Sequence, residues 1–171
     1  MKPPSLALAI TDAPRALVDA AVLQLSAPLL RRMPGAKGRH SVMVIPGFLG
    51  HDTGNGQLIR FLRNLGYHTI GWKQGRNLGS PFGQGHEQAS NASRLYRQLN
   101  PGDPEVQLSS APPPVPTTAI YTRADGIVNW RTSVQSGKHA NVYNIEVLGS
   151  HIGLTMNSAV WYWIARNLRE H

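Results

Sequence analysis

Ser41-Val42-Met43-Val44-Ile45-Pro46-Gly47-Phe48-Leu49-Gly50 is the stretch on which the fold turns. Its first five residues form a short apolar, β-branched run without polar alternation. Such a run predicts a strand covered on both faces, the habit of parallel sheets. It stops at Pro46-Gly47, where a turn begins. Beyond it, Leu58, Phe61, Leu62 and Leu65 mark one face of a helix, and Gly66 stands where a left-handed C-cap falls. Tyr67 to Trp72 predicts a second strand. Strand, helix, strand is a βαβ unit, and it sets the class as α/β with a mostly parallel sheet.

Working towards the N-terminus, Asp12 followed by Pro14 reads as a helix start, a side-chain acceptor and then a preset φ. Val18, Ala21, Val22, Leu25 and Leu29 recur at helical spacing, which predicts an amphipathic helix packed on a core and kinked near Pro28. Residues 1–40 are therefore a helical segment and residues 41–171 the α/β domain, one domain overall. Towards the C-terminus, Lys73 to Gln88 is Gly-rich and aperiodic, and a helix is expected over Gln88 to Leu99. Ala111-Pro112-Pro113-Pro114-Val115-Pro116 is a stiff, extended approach to a third strand, Thr117 to Tyr121. Val142 to Leu148 is the fourth strand. A last helix, Ser158 to Leu168, turns Val160, Trp161, Ile164 and Leu168 to the core. About four strands flanked by helices result.

Composition removes several classes. The chain has 171 residues, 41% hydrophobic and 15% charged, the profile of a folded domain and not of a disordered one. With no cysteine it has no disulfide framework, no thiolate metal site and no cysteine nucleophile. The net charge of +8 is lopsided: ten basic against three acidic residues up to Gly79, seven against six beyond. The cations are scattered and form no block, so a solvated basic surface is favoured and no specific nucleic-acid binding is expected. The longest apolar stretch, Ala16 to Leu30, is too short and too polar to span a bilayer. Leu6 to Ile10 is too short for a secretory core. A cytoplasmic, soluble protein is expected. The seven histidines show no metal-ligand spacing, and no phosphate-binding or dinucleotide fingerprint occurs, so neither metal nor cofactor is expected.

The chemistry lies at the predicted strand ends. Tyr121-Thr122-Arg123-Ala124-Asp125-Gly126 follows the third strand and Gly149-Ser150-His151-Ile152-Gly153 follows the fourth. Neighbouring parallel strands would bring Asp125 and His151 to one sheet edge, the edge where open α/β sheets bind ligands. A carboxylate on Nδ1 of an imidazole holds one tautomer and steadies the ring when it charges, which is what a hydrolytic base needs.

Together with the turn after the first strand, these two loops resemble the α/β-hydrolases, closest to bacterial lipase- or esterase-like members. The likeness runs over Ser41–Gly79 and Ser80–Leu168. It implies Asp125 and His151 as the catalytic acid and base, Gly47 and Phe48 as oxyanion-hole residues, Leu49 against the substrate, and a small acyl ester as that substrate. The family's nucleophile, the serine of a G-x-S-x-G elbow, has no counterpart in the chain. Gly79-Ser80-Pro81-Phe82-Gly83 lacks the following helix, and Ser150 adjoins His151. On the family's pattern about 50–70 residues are missing, with the junction near Gly79–Ser80.

Three readings stay open: a shortened relative impaired as an ester hydrolase, an internally deleted form of an active one, and a non-catalytic basic module for a polyanion or partner protein. Losing the central strands leaves two strand pairs. They either close into one four-stranded sheet or pair through exposed edges into a homo-oligomer.

Overall fold

The computed structural model describes residues 4–38, 40–47, 50–77, 115–134 and 141–170. Phe48, Leu49, Ser80, the helix expected over Gln88–Leu99 and the prolines 112–114 lie outside them. The elements are α1 (Leu6–Leu30), β1 (Ser41–Val44), α2 (Asp52–Asn64), β2 (His68–Gly71), β3 (Thr117–Tyr121), β4 (Val142–Glu146) and α3 (Ser158–Glu170), with short 3-10 turns at Trp130–Thr132 and Ile152–Met156. The class is mixed α/β. Sequence reading put about four strands in one sheet; the described residues carry them as two parallel pairs, β1–β2 and β3–β4.

By their contacts the residues fall into two compact units. One is Val18–Leu78 with Leu154–His171; the other is Met1–Leu17 with Gly79–Gly153.

In the first unit β1 and β2 pair in parallel from Ser41 opposite His68 to Val44 opposite Gly71. Between them α2 starts on His51, whose Nδ1 accepts from Thr53 N, and on the acidic Asp52 in the first turn. It ends in a Schellman motif: Tyr67 N–H donates to Leu62 O, Gly66 N–H donates to Arg63 O, and Gly66 sits at φ +89°. Leu58, Phe61, Leu62 and Leu65 of this segment then bury against Leu23 and Leu30 of α1 and Trp161 and Ala165 of α3. Each such large side chain contributes about 1.5–3 kcal/mol by burial. Phe61 and Trp161 stack with centroids 4.9 Å apart. Asn157 caps α3 through Oδ1, which accepts from the N–H groups of Ala159 and Val160.

Two expectations change here. Val42 and Val44 of β1 pack on the core, but Met43 and Ile45 are more than half exposed, so β1 is covered on one face only. The α1 stripe is also placed differently. Val18, Val22, Leu25 and Leu29 are exposed, while Ala16, Leu23 and Leu30, each seven residues apart, are buried. The helix is apolar on nearly every side, so hydrophobic spacing alone does not select a face. The face is chosen by Asp12 and Asp19, which lie along the buried row and meet hydrogen-bond donors there; Asp19 Oδ1 accepts from Asn157 Nδ2 at 3.0 Å. The start of α1 moves as well. The helix begins at Leu6, with Ser5 Oγ accepting from Leu8 N, and runs through Asp12 and Pro14.

In the second unit β3 and β4 pair in parallel from Thr117 opposite Val142 to Tyr121 opposite Glu146. Val147 N–H extends the ladder to Tyr121 O. Past that point both strands break into loops, and those loops hold the site.

Candidate functional site

Thr122, buried at the first step beyond β3, joins the two loops. Its Oγ1 donates to Gly149 O at 3.1 Å and accepts from Ala124 N at 3.2 Å. The β3 loop then turns back on itself, with Asp125 N–H donating to Thr122 O. This brings the Asp125 carboxylate under its own following backbone. Oδ1 accepts from Ile127 N at 2.8 Å and from Val128 N at 2.6 Å, a local turn that Asp favours. Oδ2 is left for the β4 loop, and there it meets His151 Nδ1 at 2.8 Å. A carboxylate oxygen accepts here, so Nδ1 carries the proton, and in the neutral ring Nε2 holds the lone pair.

The loop bearing His151 is held by a residue that sequence reasoning assigned elsewhere. Asp12, expected as a helix cap, is instead inside α1 and 1% exposed. Its Oδ1 accepts from His151 N at 3.0 Å and Gly126 N at 3.1 Å, and its Oδ2 accepts from Ile152 N at 2.9 Å. Arg15, one turn on, balances the buried charge with an ion pair at 3.1 Å. The same guanidinium donates to Ala124 O at 2.7 Å and Gly149 O at 3.3 Å. One carboxylate and one guanidinium therefore clasp both loops by their backbones. The clasp needs close approach: a Cβ on Gly126 would run into the Leu8 carbonyl of α1. The signal in the sequence was an Asp and an Arg three apart in an otherwise apolar stretch. Nothing local distinguishes that pair from a cap.

The electrostatics follow from these contacts. Burial, the largest single effect, disfavours the charged imidazole; the hydrogen bond to Asp125 and the charges of Asp125 and Asp12 outweigh it. The His151 pKa is raised above the ordinary histidine value. With its side chain 38% exposed, the ring is reachable by a solute while its partner Asp125 is buried. The group is thus a held, solvent-accessible base. Ser150, the neighbouring hydroxyl, is fully buried, and its Oγ accepts from Gly153 N at 3.0 Å, so it is not presented as a nucleophile.

Gly47 belongs to the other unit, in a turn at the C-terminal end of β1. Gly50 N–H donates to Gly47 O at 2.8 Å, and Asn77 pins the turn through Nδ2 to Pro46 O and N–H to Gly50 O. A Cβ on Gly50 would press on the Gly47 carbonyl, so glycine is required at that position. Phe48 and Leu49 lie outside the described residues. That unit also holds a Ser–His contact, Ser41 Oγ to His68 Nδ1 at 2.9 Å. It is an exposed cross-strand pair at the N-terminal ends of β1 and β2, away from the edge where such sheets bind ligands.

Among the described residues no three His, Asp or Glu side chains are grouped as metal ligands, and no helix is long and apolar enough to cross a membrane. Comparison of the chain with protein-family models, with curated proteins and with solved structures finds no match.

Proposed function

We propose that the chain is a relative of the α/β-hydrolases, of lipase or esterase type, that keeps the acid and base of an ester-hydrolysing site without its serine. The observation that carries the reading is the Asp125–His151 pair. A buried, backbone-anchored carboxylate sits 2.8 Å from Nδ1 of a half-exposed histidine, and both follow the C-terminal ends of adjacent parallel strands. On this reading β1–β2 and β3–β4 are the flanks of a hydrolase sheet whose central strands are absent. Pairing of strand edges between copies then gives a homo-oligomer.

The chemistry open to such a site is limited. His151 Nε2 takes a proton from water as the water oxygen bonds to the acyl carbon, and Asp125 steadies the imidazolium that forms. The imidazolium returns the proton to the alkoxide as the carbon–alkoxy bond breaks, releasing acid and alcohol. In this fold one oxyanion donor is the N–H after the nucleophile, which is lost with the elbow. Losing one such donor costs about 10²–10³ in rate. The family resemblance assigns Gly47 and Phe48 to the remaining side of the hole and Leu49 to the substrate, a small acyl ester.

Hydrolysis of p-nitrophenyl esters by the purified chain, with a fluorophosphonate probe and a His151→Ala variant, tests the proposal. Turnover close to buffer and no stoichiometric serine label are expected, and any residual rate should vanish in the variant. Stoichiometric labelling of a serine, Ser80 being the first to inspect, would overturn the assignment of a missing nucleophile. A residual rate indifferent to His151 would overturn the assignment of the base.

A further inference from the structure

The unit built on β1 and β2 holds a cleft of about 240 Å³ between α1, α2 and α3. Its floor is apolar: Leu23, Ala27 and Leu30 from α1, Phe61 from α2 and the Trp161 ring from α3. Phe61 and Trp161 are the stacked pair, so part of the floor is an aromatic wall. The lining is otherwise polar and one-signed. Arg31 and Arg60 supply two guanidiniums, Gln24, Gln57 and Asn64 supply amides, and no acidic residue takes part.

The charge is not balanced locally. This unit has three acidic residues, and each is engaged elsewhere. Asp19 is bound by Asn157 Nδ2, Asp52 accepts the N–H groups of Trp72 and Lys73, and Glu170 pairs with Arg166. Arg31 and Arg60 form no ion pair among the described residues. Two unpaired cations over an apolar floor favour a ligand with an anionic head and an apolar body, and a carboxylate accepts from guanidinium and amide donors alike. At about 30 Å³ per water the cleft has room for about eight waters, the scale of a small organic ligand.

We propose that this cleft is a binding site for a small aromatic or short-chain monocarboxylate, its carboxylate between Arg31 and Arg60 and its body on Phe61 and Trp161. The site is independent of the Asp125–His151 pair and does not rest on the hydrolase reading. It stands apart from an anion patch because the floor demands an apolar body, and apart from a hydrophobic cleft because the rim demands a negative charge.

The test is titration of the full chain with benzoate, benzamide and inorganic phosphate, read by calorimetry and by the Trp161 indole N–H resonance. That N–H donates to Thr155 O at 2.9 Å and so reports from the cleft wall. Benzoate should bind with a dissociation constant of about 1 mM or tighter and shift the Trp161 resonance; benzamide and phosphate should each bind about tenfold more weakly or worse. Arg31→Gln and Arg60→Gln should each weaken benzoate about tenfold. Arg32→Gln, the same charge change one residue away and off the lining, should leave it within about twofold. Arg60 is exposed on α2, and Arg31 and Arg32 are exposed in the turn that follows α1, so all three substitutions test binding without disturbing the core.

Equal binding of benzamide would show that the rim does not select charge, and equal binding of phosphate that the floor does not select an apolar body. Benzoate failing to bind at about 10 mM, or an Arg32→Gln loss matching that of Arg60→Gln, would refute the site. Unchanged binding in both Arg31→Gln and Arg60→Gln would refute it equally.

Discussion

Replacing Asp12 with asparagine is the sharpest perturbation of the loop clasp, because it changes the charge and donor pattern while keeping the shape. In the parent, two oxygens accept three backbone N–H groups, two on Oδ1 and one on Oδ2. An amide in the same place has one acceptor and one donor. With its oxygen towards Gly126 and His151, its NH₂ faces Ile152 N–H; flipped, it faces two donors. At least one part-buried N–H then loses its partner, at about 1–3 kcal/mol. Arg15 also loses its counter-charge, though it keeps the carbonyls of Ala124 and Gly149, which adds about 1 kcal/mol.

The total, about 2–4 kcal/mol, is a large share of the 5–15 kcal/mol typical of a folded domain. At about 2–4 °C per kcal/mol for a chain of this size, Tm should fall by about 4–16 °C. Asp12 is also one of the charges that raise the His151 pKa, so Asp12→Asn should bring that value down. Circular dichroism melts and a histidine ring NMR titration of the same variant read both effects. A stability change within about 0.5 kcal/mol, the range of an ordinary surface substitution, together with an unmoved His151 titration, would show that the clasp does not hold the loop.

The His151 pair should give a signed pH dependence. A pKa raised in the folded state stabilises fully below the ordinary histidine value near 6.5, and the gain is lost as pH rises through the raised value. His151→Ala should therefore destabilise more at acidic than at alkaline pH, measured by urea unfolding across that range; the reverse trend would contradict the raised pKa. On α1, Leu23→Ala should cost about 2–5 kcal/mol because Leu23 is 2% exposed in the core. Leu25→Ala, at a side chain 83% exposed, should stay within about 0.5 kcal/mol, and parallel thermal melts decide between the two faces. Gly126→Ala should lower Tm by several degrees, since its methyl group meets the Leu8 carbonyl, and should disturb the His151 amide resonance through the shared Asp12.

Much of the α/β pattern can be read from local signals. The β-branched run at Ser41, the stripe from Leu58 to Leu65 and the Gly66 cap each carry their own cause: side-chain shape, helical spacing and a left-handed φ. The end of α2 at Asn64, β2 at His68–Gly71 and β3 at Thr117–Tyr121 fall within a residue or two of where those signals point, whereas the start of α2 at Asp52 lies six residues ahead of the first residue of its apolar stripe. Asp125 and His151 were legible for a similar reason, since each follows an apolar run closely enough to lie at a strand end. The exposed side of β1 was not legible. Val42 and Met43 are equally apolar, and which of them faces the core depends on where α2 and β2 lie.

What the sequence determined by itself is the set of elements and the chemistry each could carry, because propensity, capping and turn formation act over a few residues. The role of α1, by contrast, is set by contacts with residues far along the chain. Its pattern offers an apolar stripe at Val18, Val22, Leu25 and Leu29 and an Asp12 that reads as a helix cap. Folding reverses both: the leucines and valines of the stripe are exposed, and Asp12 is buried among backbone N–H donors from loops more than 110 residues further along the chain. The reason is energetic. Several aliphatic faces of one helix are nearly interchangeable in burial, whereas a carboxylate that meets three part-buried N–H groups and a guanidinium has no substitute on the other faces, and those partners exist only once the distant loops have closed around it.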